Sequence, residues 1–587
     1  MKKKAEASPR FGLAATALAA LVLSCWGLAG RPRTSSEPVF REVAESAGLK
    51  FQHFTGGTGK YYLPEIMGPG AALFDYDGDG DLDAYVLQGS FLDSTRSPAR
   101  DSPAAAAREP LTNRLFRNEP IGRDGSSFGP GLHFTDVTGK AGVGDRGYGM
   151  GVAVGDADND GDLDLYITNF GGNVFYRNNG NGTFTDITAA SGTGDDRWST
   201  SAAFFDYDRD GDLDLFVLNY IDFTVAGNKR CYDAVGAFDY CNPNLYRPLP
   251  DRLFQNEGRN KFIDVTERSG IGSTIGPGLG VGCGDFNRDG WIDLYVANDG
   301  AQNFLWINQG DGTFEESALM AGAAFNAEGA PEGSMGLAVG DFDGDGDEDL
   351  FMTHLTMETN TLYLNDGSGN FHDTTIRFGL AGTSFAFTGF GTEWFDYDND
   401  GRLDLFVANG AVRNLEDLRG DPYPYHQRNQ LFHNDGGGKY SESSSPGGPA
   451  FQLSEVSRGA AFGDVDNDGD VDVLVTNNRG PVRLLLNQIG TRHHWVEIGL
   501  ESSAGNRFGV GARVKLIRRG KRPLWRRVGS DGSYLSGSDL RVHFGLGSSK
   551  EIEAVVAYWP DGRKEKWNAI RPDTIVRLRK NTGKPLP

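Results

Sequence analysis

The nine residues Asp156-Ala157-Asp158-Asn159-Asp160-Gly161-Asp162-Leu163-Asp164 concentrate oxygen donors as no ordinary turn does. Their pattern, D-x-D-x-D-G-x-x-D, occurs seven times, starting at Asp75, Asp156, Asp206, Asp285, Asp341, Asp396 and Asp464, and Asn287 is the single departure. Carboxylates at places one, three and five turn into one concavity, glycine at place six permits a sharp turn, and aspartate at place nine closes the shell. Hard oxygen ligands in that number suit Ca2+, in the manner of an EF-hand loop. Mg2+ suits them less, because it demands octahedral geometry and keeps its waters.

Four ligands of each loop come from side chains, and place seven adds its main-chain carbonyl by analogy with the EF-hand. The candidate metal ligands are therefore Asp75, Asp77, Asp79, Asp81 and Asp83; Asp156, Asp158, Asp160, Asp162 and Asp164; Asp206, Asp208, Asp210, Asp212 and Asp214. The set continues with Asp285, Asn287, Asp289, Trp291 and Asp293; Asp341, Asp343, Asp345, Asp347 and Asp349; Asp396, Asp398, Asp400, Arg402 and Asp404; and Asp464, Asp466, Asp468, Asp470 and Asp472. Trp291 and Arg402 are tolerated because only their carbonyls would serve. A solvated Asp/Gly turn explains one such loop, but not acidic residues at the same offsets in seven. Clustered carboxylates also repel one another unless a cation or protons intervene.

Place eight is apolar in six loops (Leu82, Leu163, Leu213, Ile292, Leu403 and Val471) and Glu348 in the other, so each loop leads into a buried strand. Around the second loop, Gly149 to Gly155 enters, Leu163 to Thr168 leaves, Asn173 to Asn178 follows and Phe184 to Thr188 closes. Four short strands repeated every ~50 to 80 residues describe the blades of a propeller. The small, Gly/Ala-rich entering strands belong nearest the axis, where strands crowd. Closing strands begin at Phe134, Phe184, Phe262, Phe314, Phe371 and, less clearly, Tyr440; none follows the seventh loop, whereas an orphan copy begins at Phe40. A ring in which Phe40 to Ala44 completes blade seven removes the exposed edge.

The expected fold class is all-β: a seven-bladed propeller with calcium loops at 38–489, followed by a small β-rich domain at 491–583. At 587 residues the chain exceeds one ordinary core. Seven Ca2+ would offset fourteen of its 23 excess negative charges, so the acidity is largely ligand inventory and argues against nucleic acid as a partner. From Gly490 onward, 20 Lys/Arg stand against 9 Asp/Glu, and alternating runs such as Trp495 to Leu500 and Ala554 to Trp559 read as strands. The basic run Arg518, Arg519, Lys521, Arg522, Arg526 and Arg527 would meet an anionic glycan, a lipid headgroup or the acidic propeller, or else lie solvated.

Residues 1–30 read as an export signal: Lys2 to Lys4, then an apolar run from Phe11 to Leu23 too short to span a bilayer comfortably. Val22-Leu23-Ser24-Cys25 has the form of a lipoprotein signal, with an ordinary cleaved signal as the alternative. The protein is then periplasmic, outer-membrane-anchored or extracellular, touching membrane only through lipidated Cys25. In such a compartment Cys231 and Cys241, ten apart, are expected to bridge; Cys283 reads as a core residue. The segment 90–112 reads as a surface loop, and 220–250 as an ordered lid or contact surface.

The seven loops, with Phe-x-Asp-Val-Thr and Asn-x-Leu-Phe/Tyr-x-Asn segments between them, resemble the FG-GAP/VCBS repeats of integrin-α-like propellers. The tail resembles the ASPIC/UnbV domain at Asn506-Arg507, Gly511 to Val514, Gly532-Ser533-Tyr534-Leu535-Ser536, His543 to Gly547 and Trp559 to Gly562. Together they resemble the cartilage acidic protein family, though no Cys-rich EGF-like module is present. The resemblance implies extracellular calcium binding and no defined activity. The leading expectation is a calcium-stabilised adhesion or binding scaffold for a protein or glycan. The alternative is a calcium-dependent enzyme acting on a polysaccharide or small metabolite at the propeller face or channel, with His53, Tyr61, Tyr62 and Glu65 as the group to examine. No catalytic residue is otherwise assigned, and no G-x-S-x-G, H-E-x-x-H or P-loop is found.

Overall fold

A computed structural model describes residues 38–92, 111–120, 132–233, 236–413, 424–437 and 439–587. The export signal with Cys25, and most of the 90–112 loop, lie outside the described residues.

Seven four-stranded antiparallel sheets form from consecutive stretches of chain. Blade two is typical: Gly149–Gly155, Asp164–Asn169, Val174–Asn178 and Phe184–Asp186. Its second strand is buried at every position, which is why it is apolar on both faces. Neighbouring sheets pack through rings such as Phe175, fully buried against Phe204 and Phe262 of the next blade. Each such side chain contributes about 1.5–3 kcal/mol by leaving water. The innermost strands touch in ring order, and Ala71–Phe74 of blade one meets Ser457–Gly463 of blade seven. Close approach there demands small residues: a Cβ on Gly391 would lie 2.6 Å from the main-chain nitrogen of Ala460.

Ring closure follows the strand count. Phe40–Glu42 pairs with Arg483–Asn487, Phe40 opposite Asn487, as the outer strand of blade seven. Phe40 is fully buried against Phe395, Tyr397 and Phe451. The weakly marked closing strand of blade six exists as Tyr440–Glu442.

The C-terminal region forms a three-stranded sheet of Val542–Gly547, His494–Glu501 and Ile575–Arg579, and a five-stranded sheet whose order begins Leu524–Arg527, Arg513–Ile517, Ala554–Tyr558. The strands at Leu524–Arg527, Lys564–Trp567 and Lys584–Leu586 were not marked by alternation, since charged residues dominate them. This region packs onto the propeller, and the two form one compact unit.

Candidate functional site

All seven loops share one backbone design. Glycine at place six has φ between 89° and 100°, a left-handed conformation that side chains rarely adopt, so glycine is required there. The place-one carboxylate accepts main-chain N–H bonds from within its own loop; Asp156 takes those of Asp160 at 3.1 Å and Gly161 at 3.0 Å. Place nine is a staple. Asp164 accepts from Ala157 N at 3.0 Å and from Asn178 N at 2.7 Å, so one carboxylate fastens the loop to the third strand. Asp83, Asp214, Asp293, Asp349, Asp404 and Asp472 repeat both bonds in their own blades.

The remaining oxygens fit a hard cation. Asp77 Oδ1, Asp158 Oδ1, Asp206 Oδ1 and Asp285 Oδ1 are buried without a hydrogen-bond partner, an expensive state for a carboxylate oxygen unless an ion meets it. Oxygens of Asp75, Asp77 and Asp83, of Asp156, Asp158 and Asp164, of Asp206, Asp208 and Asp210, and of Asp341, Asp343 and Asp349 gather within 4.8 Å in each group. Burial, reinforced by neighbouring aspartates, pushes Asp156, Asp206 and Asp341 up to about 7 and Asp285 to about 6. Without a cation these groups hold protons instead.

In four loops the place-seven side chain points away from its own loop and meets place four of the preceding blade. Asn159 donates to Asp212 at 2.6 Å, and Asn467 to Asp81 at 2.6 Å. Arg288 pairs with Asp347, and the Arg209 guanidinium lies 3.8 Å over the ring of Trp291. Trp291 is therefore a blade-to-blade contact, in keeping with a loop that needs only its carbonyl. Glu348, the polar exception at place eight, reaches blade four and accepts from Asp285 N at 2.9 Å. A pairing of place four with the next place seven is visible in the sequence only once the ring order is known.

The C-terminal domain covers the loop face. Arg522 donates to Asp343 O at 3.1 Å, His543 bonds Gly469 O at 3.1 Å, and Gly547 N donates to Asn399 O at 2.7 Å. Within the basic run, Arg522 thus meets the propeller. Arg527 turns back to Asp531 at 2.7 Å, with both side chains nearly buried.

Residues 530–539 of this domain enter the propeller axis, a role that Ser- and Gly-rich sequence did not reveal. Gly532 N donates to Val281 O, Val152 N to Leu535 O, and Gly537 N to Ala71 O, at 2.9–3.2 Å. Ser533 and Leu337 exchange main-chain bonds, and Ser533 Oγ donates to Ala460 O at 2.7 Å. Tyr534, fully buried, stacks edge-on against Phe390 with ring centroids 4.8 Å apart. The channel is thus filled at the level of the inner strands.

Among the described residues, the face away from the loops carries the 220–250 insertion. Tyr61, Tyr62 and Glu65 seat it: Tyr240 donates to Glu65 Oε2 at 3.0 Å, Tyr61 packs on Phe238 and Tyr240, and Tyr62 packs on Phe223, whereas His53 accepts from Arg479 N at 3.3 Å. Burial, then Arg458 and Arg479, push His53 down to about 3, so it is neutral. These are the marks of packing and anchoring. Cys231 and Cys241 are bridged within the insertion, and Cys283 is buried and free.

Beside that insertion lies a cavity of about 450 Å3, where the second strands of blades three to six end. Met67, Leu279, Met335 and Phe390 line it with Tyr220, Asp299, Glu358 and Arg413. Tyr220 donates to Asp299 at 2.5 Å, and burial raises the Asp299 carboxyl. Arg458, fully buried at the neighbouring wall, donates to the carbonyls of Ile66, Gly410 and Ala411. None of these residues carries a local motif by which sequence reasoning could have found it.

The FG-GAP-like repeat family matches residues 156–217, 285–352, 341–407 and 420–510, and the ASPIC and UnbV family matches 502–585. Cartilage acidic protein 1 of Homo sapiens is 26% identical over 355 residues, covering 58% of this chain and 50% of that protein. The Xenopus tropicalis protein is 25% identical over 328 residues, covering 53% and 46%. The chain spans about half the length of the curated relatives it matches. Among solved structures, YCF48 bound to a D1 peptide matches with TM-score 0.37 and 10% identity, over 75% of this chain and 94% of that one. BBS1N in complex with ARL6DN matches with TM-score 0.32 and 9% identity, over 75% and 97%.

Proposed function

We propose, for a chain that matches FG-GAP-like repeats and an ASPIC and UnbV domain and is similar to cartilage acidic protein 1, an exported, calcium-loaded binding scaffold. Residues 38–489 act as the propeller, with Ca2+ in the loops from Asp75, Asp156, Asp206, Asp285, Asp341, Asp396 and Asp464. Residues 491–583 act as a permanent cap on the loop face and a plug in the channel. The chain works outside the cytoplasm, anchored through Cys25 or released, and the Cys231 to Cys241 bridge supports that placement.

The observation that carries the reading is the division of the two faces. The cap hydrogen-bonds several of the ion loops, whereas the opposite face keeps a cavity of about 450 Å3 with apolar walls and a few polar groups. That combination is what ligand sites use. A protein or glycan ligand is therefore bound on the face opposite the loops, while the ions serve stability. Purified protein at fixed Ca2+ is to be heated with a panel of glycans and small metabolites. A ligand raises the melting temperature by mass action, and Tyr220→Phe with Arg413→Ala abolishes the rise. Ligands that stabilise wild type and this double variant alike would place binding elsewhere, and product formed from a hit would replace the scaffold with an enzyme.

A further inference from the structure

The third strand of every blade carries one residue, just before its buried asparagine, that lies beside the loop: Arg117, Arg177, Gln255, Ile307, Leu364, His433 and Leu486 in ring order. In blades one and three its side chain bonds the loop. Arg117 pairs with Asp77 at 2.9 Å, and Gln255 donates to Asp208 at 2.6 Å. In blade six this residue is a histidine, and it brings a nitrogen donor into an otherwise all-oxygen array.

His433 Nδ1 lies 3.2 Å from Asp404 Oδ1 and 3.9 Å from Asp398 Oδ2. The three ligand atoms fall within 4.8 Å of one another. The nitrogen is buried and makes no hydrogen bond of proper geometry, although it faces both carboxylates. Two bonds of about 2.0–2.2 Å span such separations. The same loop is short of free oxygens. Blade five has Gly344 at place four, so Arg402 meets no side chain from there; it turns back to pair with Asp400 and donates to Asn434 O at 2.7 Å. The aspartate at place five is thereby drawn toward a guanidinium. Ca2+ takes six to eight oxygens, roughly, and gains little from imidazole, whereas imidazole with carboxylates suits borderline first-row ions.

We propose that blade six is a transition-metal site, with His433, Asp398 and Asp404 holding a divalent ion of the zinc class while the other loops take calcium. This rests on reading the loops as cation sites, and the test separates the two. Full-length protein is stripped with chelator, equilibrated with excess Ca2+ and a small amount of Zn2+, desalted, and its metals counted by mass spectrometry. Wild type retains about one Zn2+ per chain beside several Ca2+. His433→Gln installs the residue that blade three carries naturally, so folding is preserved. It loses Zn2+ by more than the roughly 10–100-fold that removing an outer-shell partner costs. Co2+ in place of Zn2+ gives the wild type a d–d absorption band that the variant lacks. Wild type that keeps Ca2+ but no Zn2+, or a variant that keeps Zn2+ as well as wild type does, overturns the assignment. Protein that keeps neither metal overturns the cation reading of the loops itself.

Discussion

Asn118 of blade one donates its side-chain amide to the main-chain oxygen of Val465, inside the aspartate loop of blade seven, at 2.8 Å. The bond crosses the seam of the ring and joins residues nearly 350 apart. It is one member of a relay. Asn178 reaches Tyr76 O, Asn256 reaches Ala157 O, Asn308 reaches Tyr207 O, Asn365 reaches Phe286 O and Asn487 reaches Tyr397 O, each at place two of the preceding loop. Asn434 breaks the pattern and bonds Leu403 O and Tyr440 Oη within its own blade. Asn118→Ala leaves a buried carbonyl of loop seven without this donor. It is expected to lower stability by about 1–3 kcal/mol, read as a shifted urea midpoint. An unchanged midpoint would show that the seam does not depend on it.

The proposed calcium sites use carboxylates that protons also bind, so calcium binding is expected to depend on pH. In the ion-free protein Asp156, Asp206 and Asp341 stand at about 7 and Asp285 at about 6, above their ordinary range near 4, so the folded state binds more protons than the unfolded one. Stability in chelator therefore falls as pH rises from about 4 through about 7. Calcium must displace those protons, so the gap between melting temperatures with Ca2+ and with EDTA widens over the same interval. Mg2+ does not restore the loss. A gap that stays constant from about pH 5 to about pH 8 contradicts this.

Phe40 is buried against three rings contributed by blade six and the segment before blade seven. Phe40→Ala is expected to cost about 3–5 kcal/mol, and Arg41→Ala, on the exposed side of the same strand, less than about 0.5 kcal/mol. Denaturant unfolding followed by tryptophan fluorescence distinguishes them. Equal effects would mean that the N-terminal strand contributes little to closure.

The plug leaves no room at the axis. A Cβ on Gly70 would sit 1.7 Å from the carbonyl oxygen of Leu535, whereas one on Gly139 meets nothing within 4 Å. Gly70→Ala should displace the 530–539 segment and destabilise the whole chain by more than the usual 1–3 kcal/mol, roughly, of an overpacked core. Gly139→Ala should melt like wild type. A stable Gly70→Ala protein with unaltered protease resistance near Leu535 would argue that the segment is loosely held.

The aspartate loops, the blade strands and the orphan strand at Phe40 were legible in the sequence because each is a local pattern, repeated in register, whose chemistry depends on neighbours within about ten residues. The same holds for Cys231 and Cys241, which the chain keeps close whatever the fold. The axial placement of Ser533 to Gly537, the contact of Arg209 with Trp291, the seat of Arg458 and the approach of His433 to Asp398 and Asp404 had no such signature. Each joins elements that meet only when seven twisted sheets close on themselves. A serine-glycine segment reads as a surface turn until a ring of unpaired inner-strand groups surrounds it, and a histidine on one strand becomes a candidate ligand only when the neighbouring loop packs against it. Sequence by itself set the repeat and its oxygen chemistry. Tertiary structure decided which face is capped and which side chains of neighbouring blades meet, because those depend on the angle and order in which blades meet.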